Sequence, residues 1–242
     1  MKKSICVVLS AALLAGCSST VSETESTASA EPAAETTAAA EEADLSAMTV
    51  EELSAYLFPD REYYDVQCGN TVLQAFKADM SDYWWLDDDD PAFDEVLWTE
   101  SLKLFEEGGT GIIALSYDSC HFCNRAIPVL NEVLKETGTR GLYVNVYDMV
   151  IQSMNSDLYE DMMDRFYTYT DSILSHEINE ETGLEEPVIY VPLFIAVKDG
   201  EIVGYHSGLV DSFTITTGEE QMNDEQVEEL KGFYREMIEA IQ

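Results

Sequence analysis

Two cysteines separated by two residues stand at the junction of a predicted strand and a predicted helix. The apolar run at residues 111–115 is typical of a buried strand, and apolar side chains at helical spacing follow Cys123 as far as Gly138. A further strand at residues 141–148 completes a β-α-β unit, whose two strands are expected to be parallel. Cys120 and Cys123 therefore lie where a strand turns into a helix, which is a position suited to a redox dithiol.

The number and spacing of the cysteines favour a reactive pair over a structural disulfide. The chain contains Cys6, Cys17, Cys68, Cys120 and Cys123. A disulfide across two intervening residues closes a very small loop and restrains little of the unfolded chain, so a purely structural bond gains little there. Cys68 is interpreted as a buried thiol, because a free cysteine packs like a small apolar residue. A third redox partner is the open alternative for Cys68.

The beginning of the chain has the pattern of an export signal. Lys2 and Lys3 precede an apolar run at residues 5–15 that is too short to span a bilayer as a helix. The run ends in Leu-Ala-Gly-Cys, which resembles the bacterial lipoprotein box and implies cleavage before Cys17. Residues 1–16 are predicted to be the signal peptide, and Cys17 is predicted to carry a lipid that anchors the protein to a membrane surface.

The next two segments differ in their content of large apolar side chains. Residues 17–44 are predicted to be the lipidated cysteine followed by a flexible acidic tether, because they cannot bury enough apolar surface to form a core. Residues 45–90 are predicted to be an N-terminal helical extension. Its first helix follows a capping box at residues 49–52, and a second helix is expected at residues 71–80.

Residues 91–242 are predicted to be the main domain, with a helical insert at residues 149–187. The other predicted elements are a strand at 93–98, a helix at 100–107 capped by Thr99, a helix at 156–178, a hairpin of 193–197 with 201–206, and a terminal helix capped by Asn223.

The charge of the chain excludes one class of partner. The formal net charge is −36, with only 12 lysines and arginines among 242 residues. Nucleic acid is bound through lysine and arginine contacts to phosphate, so a nucleic-acid-binding function is not expected.

The order of the motifs resembles the thioredoxin family. Cys120-His121-Phe122-Cys123 matches the redox dithiol that follows the central strand, and Pro128 lies five residues after the second cysteine, as in that family. Pro192 precedes a strand that ends in Lys198-Asp199-Gly200-Glu201, which resembles the cis-proline strand and its hairpin, and Gly208 matches a later glycine. The resemblance covers residues 93–242, interrupted by the insert.

The resemblance implies an α/β, thioredoxin-like fold, in which helices flank a central mixed sheet and the insert precedes the cis-proline strand. It also implies that Cys120, at the N-terminus of a helix, is the attacking thiolate and that Cys123 is the resolving thiol. No cofactor and no metal are implied. A zinc site built from the cysteine pair and His121 is a weak alternative, because the usual four ligands are not evident.

Four further residues are expected to shape the site. His121 either stabilises the Cys120 thiolate when protonated or is a solvent-facing spacer, and both readings stay open. Phe122 is expected to supply apolar surface. The resemblance implies a cis bond before Pro192, with the backbone of Val191 facing the dithiol and pairing with an extended substrate.

Two positions depart from the thioredoxin pattern. Ser119 precedes the first cysteine where many thioredoxins have Trp, and Ala114 stands where thioredoxin has a buried Asp that aids proton transfer. Resolution by Cys123 therefore needs another proton acceptor, such as water or a nearby carboxylate. The glycine-rich segment at residues 108–111 and the terminal helix also resemble exported thioredoxin-like proteins described as bacteriocin-transport accessory proteins.

The residues and the resemblance together predict a lipid-anchored, extracytoplasmic thiol–disulfide oxidoreductase. Its expected partners are thiols and disulfides of exported proteins, an unknown redox partner, and the membrane surface. The alternative is a non-enzymatic adaptor of a secretion or bacteriocin-transport complex. The sequence leaves open the direction of electron flow, the substrate, the oligomeric state and the role of residues 45–90.

Overall fold

The structure is a computed structural model, and it describes residues 44–242. The predicted signal peptide at residues 1–16, the lipidated residue Cys17 and nearly all of the predicted tether lie outside the described residues.

The described chain is an α/β structure built on a mixed sheet of seven strands in the order β1-β2-β3-β5-β4-β8-β9. Strands β3, β5 and β4 run parallel to one another, and the other neighbours in this sheet are antiparallel. Two additional strands, β6 and β7, form a separate hairpin. The strands are β1 (Tyr63–Cys68), β2 (Thr71–Lys77), β3 (Phe93–Val96), β4 (Gly111–Ser116), β5 (Gly141–Asn145), β6 (Ser175–Ile178), β7 (Glu185–Val188), β8 (Leu193–Lys198) and β9 (Glu201–Ser207).

Helices cover both faces of the sheet because strand β4 is apolar on both sides. Ile112 and Ala114 of β4 face a core shared with α3 and α6, called here the dithiol core because it also contains Cys123. Ile113 and Leu115 face the far core, which is shared with α2 and α5. The helices are α1 (Val50–Leu57), α2 (Trp98–Glu106), α3 (Cys123–Thr137), α4 (Met149–Ser153), α5 (Ser156–Thr170) and α6 (Asp224–Ile241).

The predicted β-α-β unit is confirmed as β4, α3 and β5, with its two strands parallel. Helix α3 ends at Gly138, whose backbone adopts the left-handed conformation with φ 67°. The hairpin between β8 and β9 is also confirmed, and its turn has positive φ at both Asp199 and Gly200. The predicted capping boxes of α1 and α6 are both present.

The helix predicted at residues 71–80 is wrong, so the extension at residues 45–90 is not wholly helical. Strand β2 alternates between buried residues such as Leu73 and exposed residues such as Val72. This period of two matches a strand that buries one face. Strand β2 pairs with β1 on one side and with β3 on the other, so the extension contributes two strands to the central sheet.

The insert is helical only in its first part, and the helix predicted at residues 156–178 ends at Thr170. After a short 3-10 turn (Asp171–Ile173), β6 and β7 form a hairpin around Gly183, which has φ 68°. The insert predicted to be helical over residues 149–187 is therefore helical in its first part and a β-hairpin in its last part.

Two boundaries before the β-α-β unit also differ. The predicted strand at 93–98 ends at Val96, and α2 begins at Trp98 after an N-cap at Leu97. Thr99 is therefore inside the helix and is not its cap. The backbone N–H groups of Glu100 and Ser101 donate to the carbonyl of Leu97, which places the start of the helix there.

Candidate functional site

The loop between β4 and α3 places both thiols of the cysteine pair at the N-terminus of the helix. Cys123 is the first residue of α3 and is fully buried, while Cys120 is 7% exposed. The N-cap residue of α3, Phe122, provides no side-chain cap. The backbone N–H of Cys123 instead donates a hydrogen bond to Cys120 Sγ at 3.2 Å. The sulfur thus satisfies a helix N–H group that would otherwise need a capping side chain.

These contacts separate the acidities of the two thiols. The hydrogen bond from the Cys123 thiol, together with the backbone N–H groups of Cys123 and Phe122, lowers the pKa of Cys120 to about 7 despite its burial. Burial raises the pKa of Cys123 well above its usual value, and the neighbouring Cys120 sulfur raises it further. Near neutral pH, a substantial fraction of Cys120 is therefore thiolate, whereas Cys123 keeps its proton.

The segment before β8 lies against the Cys120 sulfur. The Val191 carbonyl oxygen is 3.7 Å from Cys120 Sγ, and the Val191-Pro192 peptide bond is cis. The Pro192 carbonyl accepts a hydrogen bond of 2.9 Å from the N–H of Gly208, which ties the ends of β8 and β9 together. The structure thus places Cys120 beside both Cys123 and the Val191 carbonyl that precedes Pro192.

The two residues between the cysteines point outward. Phe122 is 47% exposed, and the ring of His121 packs edge-on against Trp84 with 5.0 Å between ring centroids. The groups that lower the pKa of Cys120 are Cys123 and the helix backbone, so the imidazole of His121 is placed as part of the rim around the sulfur.

Two polar residues that sequence reasoning missed hold the dithiol loop in place. Asn124 accepts a hydrogen bond of 2.6 Å from the Trp84 N–H and donates to the carbonyls of Cys120 and Asp118. It therefore connects the loop to the aromatic run at residues 83–86. The available signal was only the position of Asn124 directly after the second cysteine, because the apolar residues of the helix predict a different face to be buried.

Arg125, the second missed residue, is 2% exposed and fastens a distant segment to the site. Its guanidinium donates to the backbone carbonyls of Glu220 at 2.7 Å, Gly218 at 3.0 Å and His121 at 2.6 Å. The group also lies over the ring of Trp85. Arg125 thus covers the outer side of the dithiol loop with the chain that precedes α6.

The third free cysteine in the described residues, Cys68, is not part of this site. It belongs to the far core, and burial raises its pKa to about 11. Its carbonyl accepts a hydrogen bond from the N–H of Thr110, just before β4 begins, whereas Cys120 follows the end of β4. Six residues of strand separate these two levels by roughly 20 Å, too far for disulfide exchange within the folded chain.

Two other kinds of site are absent from the described residues. Within residues 44–242 there is no group of three or more His, Cys, Asp or Glu side chains placed to hold a metal ion. No helix in this same range is long and apolar enough to cross a membrane. A scan against models of known protein families finds no match, and a search of curated proteins finds no relative.

Proposed function

We propose that the protein is a thiol–disulfide oxidoreductase with a thioredoxin-like fold, in which Cys120 attacks and Cys123 resolves. The observation that carries this proposal is the environment of the Cys120 sulfur, which accepts a hydrogen bond from the N-terminus of α3 and has a pKa of about 7. A thiol with a pKa near the ambient pH combines a useful thiolate fraction with good nucleophilicity. The arrangement of β4, α3, β5, β8, β9 and α6 around it supports the fold assignment.

The proposed reaction has two exchange steps. The Cys120 thiolate attacks one sulfur of a substrate disulfide, forms a mixed disulfide, and releases the other substrate sulfur as a thiolate that takes up a proton. Cys123 then loses its proton and attacks Cys120 Sγ, which forms the Cys120–Cys123 disulfide and releases the second substrate thiol. One substrate disulfide is reduced to two thiols and one protein dithiol is oxidised, and the reverse sequence oxidises a substrate.

The rim of the site supports a protein substrate. Phe122, between the two cysteines, and Trp84, packed against His121, are each about half exposed, and the Val191 backbone lies next to the buried Cys120 sulfur. Apolar side chains and an adjacent backbone segment are suitable contacts for an extended polypeptide.

The proposed location follows from the N-terminal sequence. The signal pattern and Cys17 favour an extracytoplasmic protein held at the membrane surface by a lipid. Its substrates are accordingly proposed to be the thiols and disulfides of exported proteins.

Insulin reduction and substrate trapping test the proposed activity. The wild-type protein is expected to catalyse dithiol-dependent reduction of insulin, Cys120→Ser to lose this activity, and Cys123→Ser to accumulate mixed disulfides that dithiothreitol releases. Cys68→Ser is the matched control and should behave as wild type. If the wild type gives no turnover and Cys123→Ser traps no partner, the enzymatic proposal is wrong; a Cys120→Ser/Cys123→Ser protein that keeps its cellular role would then favour the adaptor.

The reduction potential of the dithiol decides the direction of electron flow. A value near −270 mV, about that of thioredoxin, would favour a reductant, and a value near −120 mV, about that of DsbA, would favour an oxidant. Equilibration with glutathione buffers, followed by quantification of the oxidised fraction, measures it.

A further inference from the structure

A row of buried hydroxyl groups lies beside the Cys123 thiol. The Tyr83 hydroxyl is 2.7 Å from Ser116 Oγ and 3.3 Å from the Tyr143 hydroxyl. Ser116 is fully buried, and the two tyrosines are 3% and 2% exposed. Ser116 is the last residue of β4, and its hydroxyl lowers the pKa of the nearby Cys123 thiol. The three hydroxyls thus form a buried chain, and its Ser116 end influences the resolving cysteine.

The resolving step needs such a chain because Cys123 must ionise in an apolar core. Ala114, which occupies the position of the buried acid of thioredoxins, packs in the same core and has no ionisable group. The titratable groups with an electrostatic effect on or from Cys123 include Cys120, Tyr83, Tyr117, Tyr143 and Tyr234. These are thiols and phenols, and burial raises the pKa of each of these four phenols. The four phenols stay protonated near neutral pH, so they can donate hydrogen bonds but cannot accept the proton, and Cys120 is part of the mixed disulfide during this step.

We propose that Ser116, oriented by Tyr83, donates a hydrogen bond to the Cys123 thiolate and thereby promotes resolution of the mixed disulfide. This inference rests on the proposed function and assigns a role to residues outside the dithiol motif. In this proposal Ser116 acts on the reacting sulfur directly, whereas Tyr83 acts through Ser116 and is a positioning residue.

The proton and electron balance of the step involves the hydroxyls only as donors. Cys123 sulfur bonds to Cys120 Sγ, the bond from Cys120 to the substrate sulfur breaks, and the departing substrate thiolate takes the proton that Cys123 gives up. Either Tyr83 or Ser116 can donate in the bond that joins them. Before the step, Tyr83 donates to Tyr143. As the thiolate forms, Ser116 turns its proton to the sulfur and Tyr83 donates to Ser116, so every hydroxyl keeps its proton.

The reagent 5,5′-dithiobis(2-nitrobenzoate) separates the two steps in one experiment. Attack by Cys120 releases a first thionitrobenzoate, and attack by Cys123 on the resulting mixed disulfide releases a second. The full chain is used with Cys6, Cys17 and Cys68 replaced by Ser, so that only the dithiol reacts. Stopped-flow absorbance then gives the rate of each release as a function of pH.

Ser116→Ala is expected to slow the second release about tenfold near pH 7 and to move its pH midpoint up by about one unit, because a hydrogen bond to a charged sulfur is lost. Tyr83→Phe should change the second release in the same direction by about threefold, since it removes only the support of Ser116. The first release should stay at the wild-type rate in both variants, because it depends on Cys120.

Two matched variants control for the loss of a buried hydroxyl. Ser101→Ala removes a fully buried serine hydroxyl of α2, which donates to the Trp98 carbonyl. Tyr234→Phe removes a fully buried phenol that interacts with Cys123 but whose hydroxyl has no hydrogen-bond partner in the described residues. Neither variant should alter the second release or its pH midpoint.

The outcomes distinguish this inference from the proposed function. An unchanged pH midpoint of the second release in Ser116→Ala and Tyr83→Phe overturns the role of the hydroxyl chain, even if insulin reduction is normal. If Ser116→Ala does not fold, Tyr83→Phe decides alone, because it removes a single oxygen atom. If the variants shift the second release as expected but no protein disulfide is reduced, the hydroxyl chain is supported and the oxidoreductase proposal is wrong.

Discussion

Two regions of the molecule bury a cysteine equally well and give it opposite chemistry. Cys120, between β4 and α3, is 7% exposed, and Cys68, in the far core, is 5% exposed. Backbone N–H groups and the Cys123 thiol lower the pKa of Cys120 to about 7, whereas burial raises the pKa of Cys68 to about 11. Burial therefore does not decide reactivity; the number of hydrogen-bond donors aimed at the sulfur does.

Alkylation provides the largest expected contrast between the two regions. At pH 7, about half of Cys120 and only about one part in 10⁴ of Cys68 is expected to be thiolate, so iodoacetamide should modify Cys120 at least 10³-fold faster, about the ratio of these fractions. Peptide mass spectrometry after timed quenching measures both rates in one sample. Equal rates at the two cysteines in the folded protein would contradict the comparison, and unfolding in urea should make them similar.

Arg125 sharpens the comparison because it supports only the Cys120 region. Arg125→Ala removes charge-assisted hydrogen bonds from a buried guanidinium to backbone carbonyls and should lower the free energy of unfolding by about 3 kcal/mol. Urea titration followed by circular dichroism measures the loss. Arg165→Ala is the control, since its pair with Glu106 is partly exposed and should contribute about 1 kcal/mol or less.

The position of the Arg125 effect is as informative as its size. Hydrogen exchange should rise around Thr217, Gly218 and Glu220, whose carbonyls the guanidinium binds, and stay unchanged at β1 around Cys68. A uniform rise across both regions would mean that Arg125 stabilises the whole fold and does not specifically hold the dithiol loop.

The parts of the fold that sequence reasoning predicted are those decided locally. The helix after Cys123 and the hairpin at Asp199-Gly200 depend on nearby apolar spacing and turn residues, and both are present. Strand β2 was mistaken for a helix because Val72, Leu73 and Phe76 fit one helical face, and pairing with β3 decides otherwise. Tertiary pairing of this kind overrides local propensity.

The residues of the candidate site also differ in how well the sequence predicts them, according to whether their contacts are local or distant along the chain. The cysteine pair could be predicted because its motif is contiguous. Arg125 reaches the Gly218 carbonyl across 93 positions, and Tyr83 reaches Ser116 across 33, so neither contact leaves a short-range pattern. The polar strands of the β6-β7 hairpin are mostly exposed, so they lack the alternation of apolar residues that marks a strand.

Glu95 extends the comparison to a buried carboxyl. As at Cys68, burial raises the pKa of this group. It is 7% exposed, and burial raises its pKa to about 8, with the nearby Asp148 charge adding to the rise. Between about pH 4.5 and 8, Glu95 therefore keeps its proton in the folded protein. The unfolded chain releases this proton above pH 4.5, the ordinary pKa of a glutamate. This contribution to stability is present at low pH and is lost as pH rises from about 4.5 to 8.

Glu95→Gln should remove this pH dependence. Relative to the variant, the wild type is expected to lose about 2 kcal/mol of unfolding free energy between about pH 5 and pH 7. Urea titrations of both proteins at several pH values give the difference directly and cancel the contribution of the other carboxylates. A difference that does not change with pH would show that Glu95 ionises as an exposed residue does.

The smallest expected effect tests the donor that sets Cys120 apart most strongly. The Cys123 thiol is the largest contributor to the low pKa of Cys120, ahead of the backbone N–H groups. Cys123→Ala removes that donor and should raise the midpoint of the pH profile of Cys120 alkylation by about one unit. Cys123→Ser keeps a hydroxyl donor and should raise it less. If Cys120 has the wild-type midpoint in both variants, the helix backbone alone stabilises the thiolate. If the midpoint moves to that of an ordinary exposed cysteine, the Cys123 thiol contributes nearly all of the difference between Cys120 and Cys68.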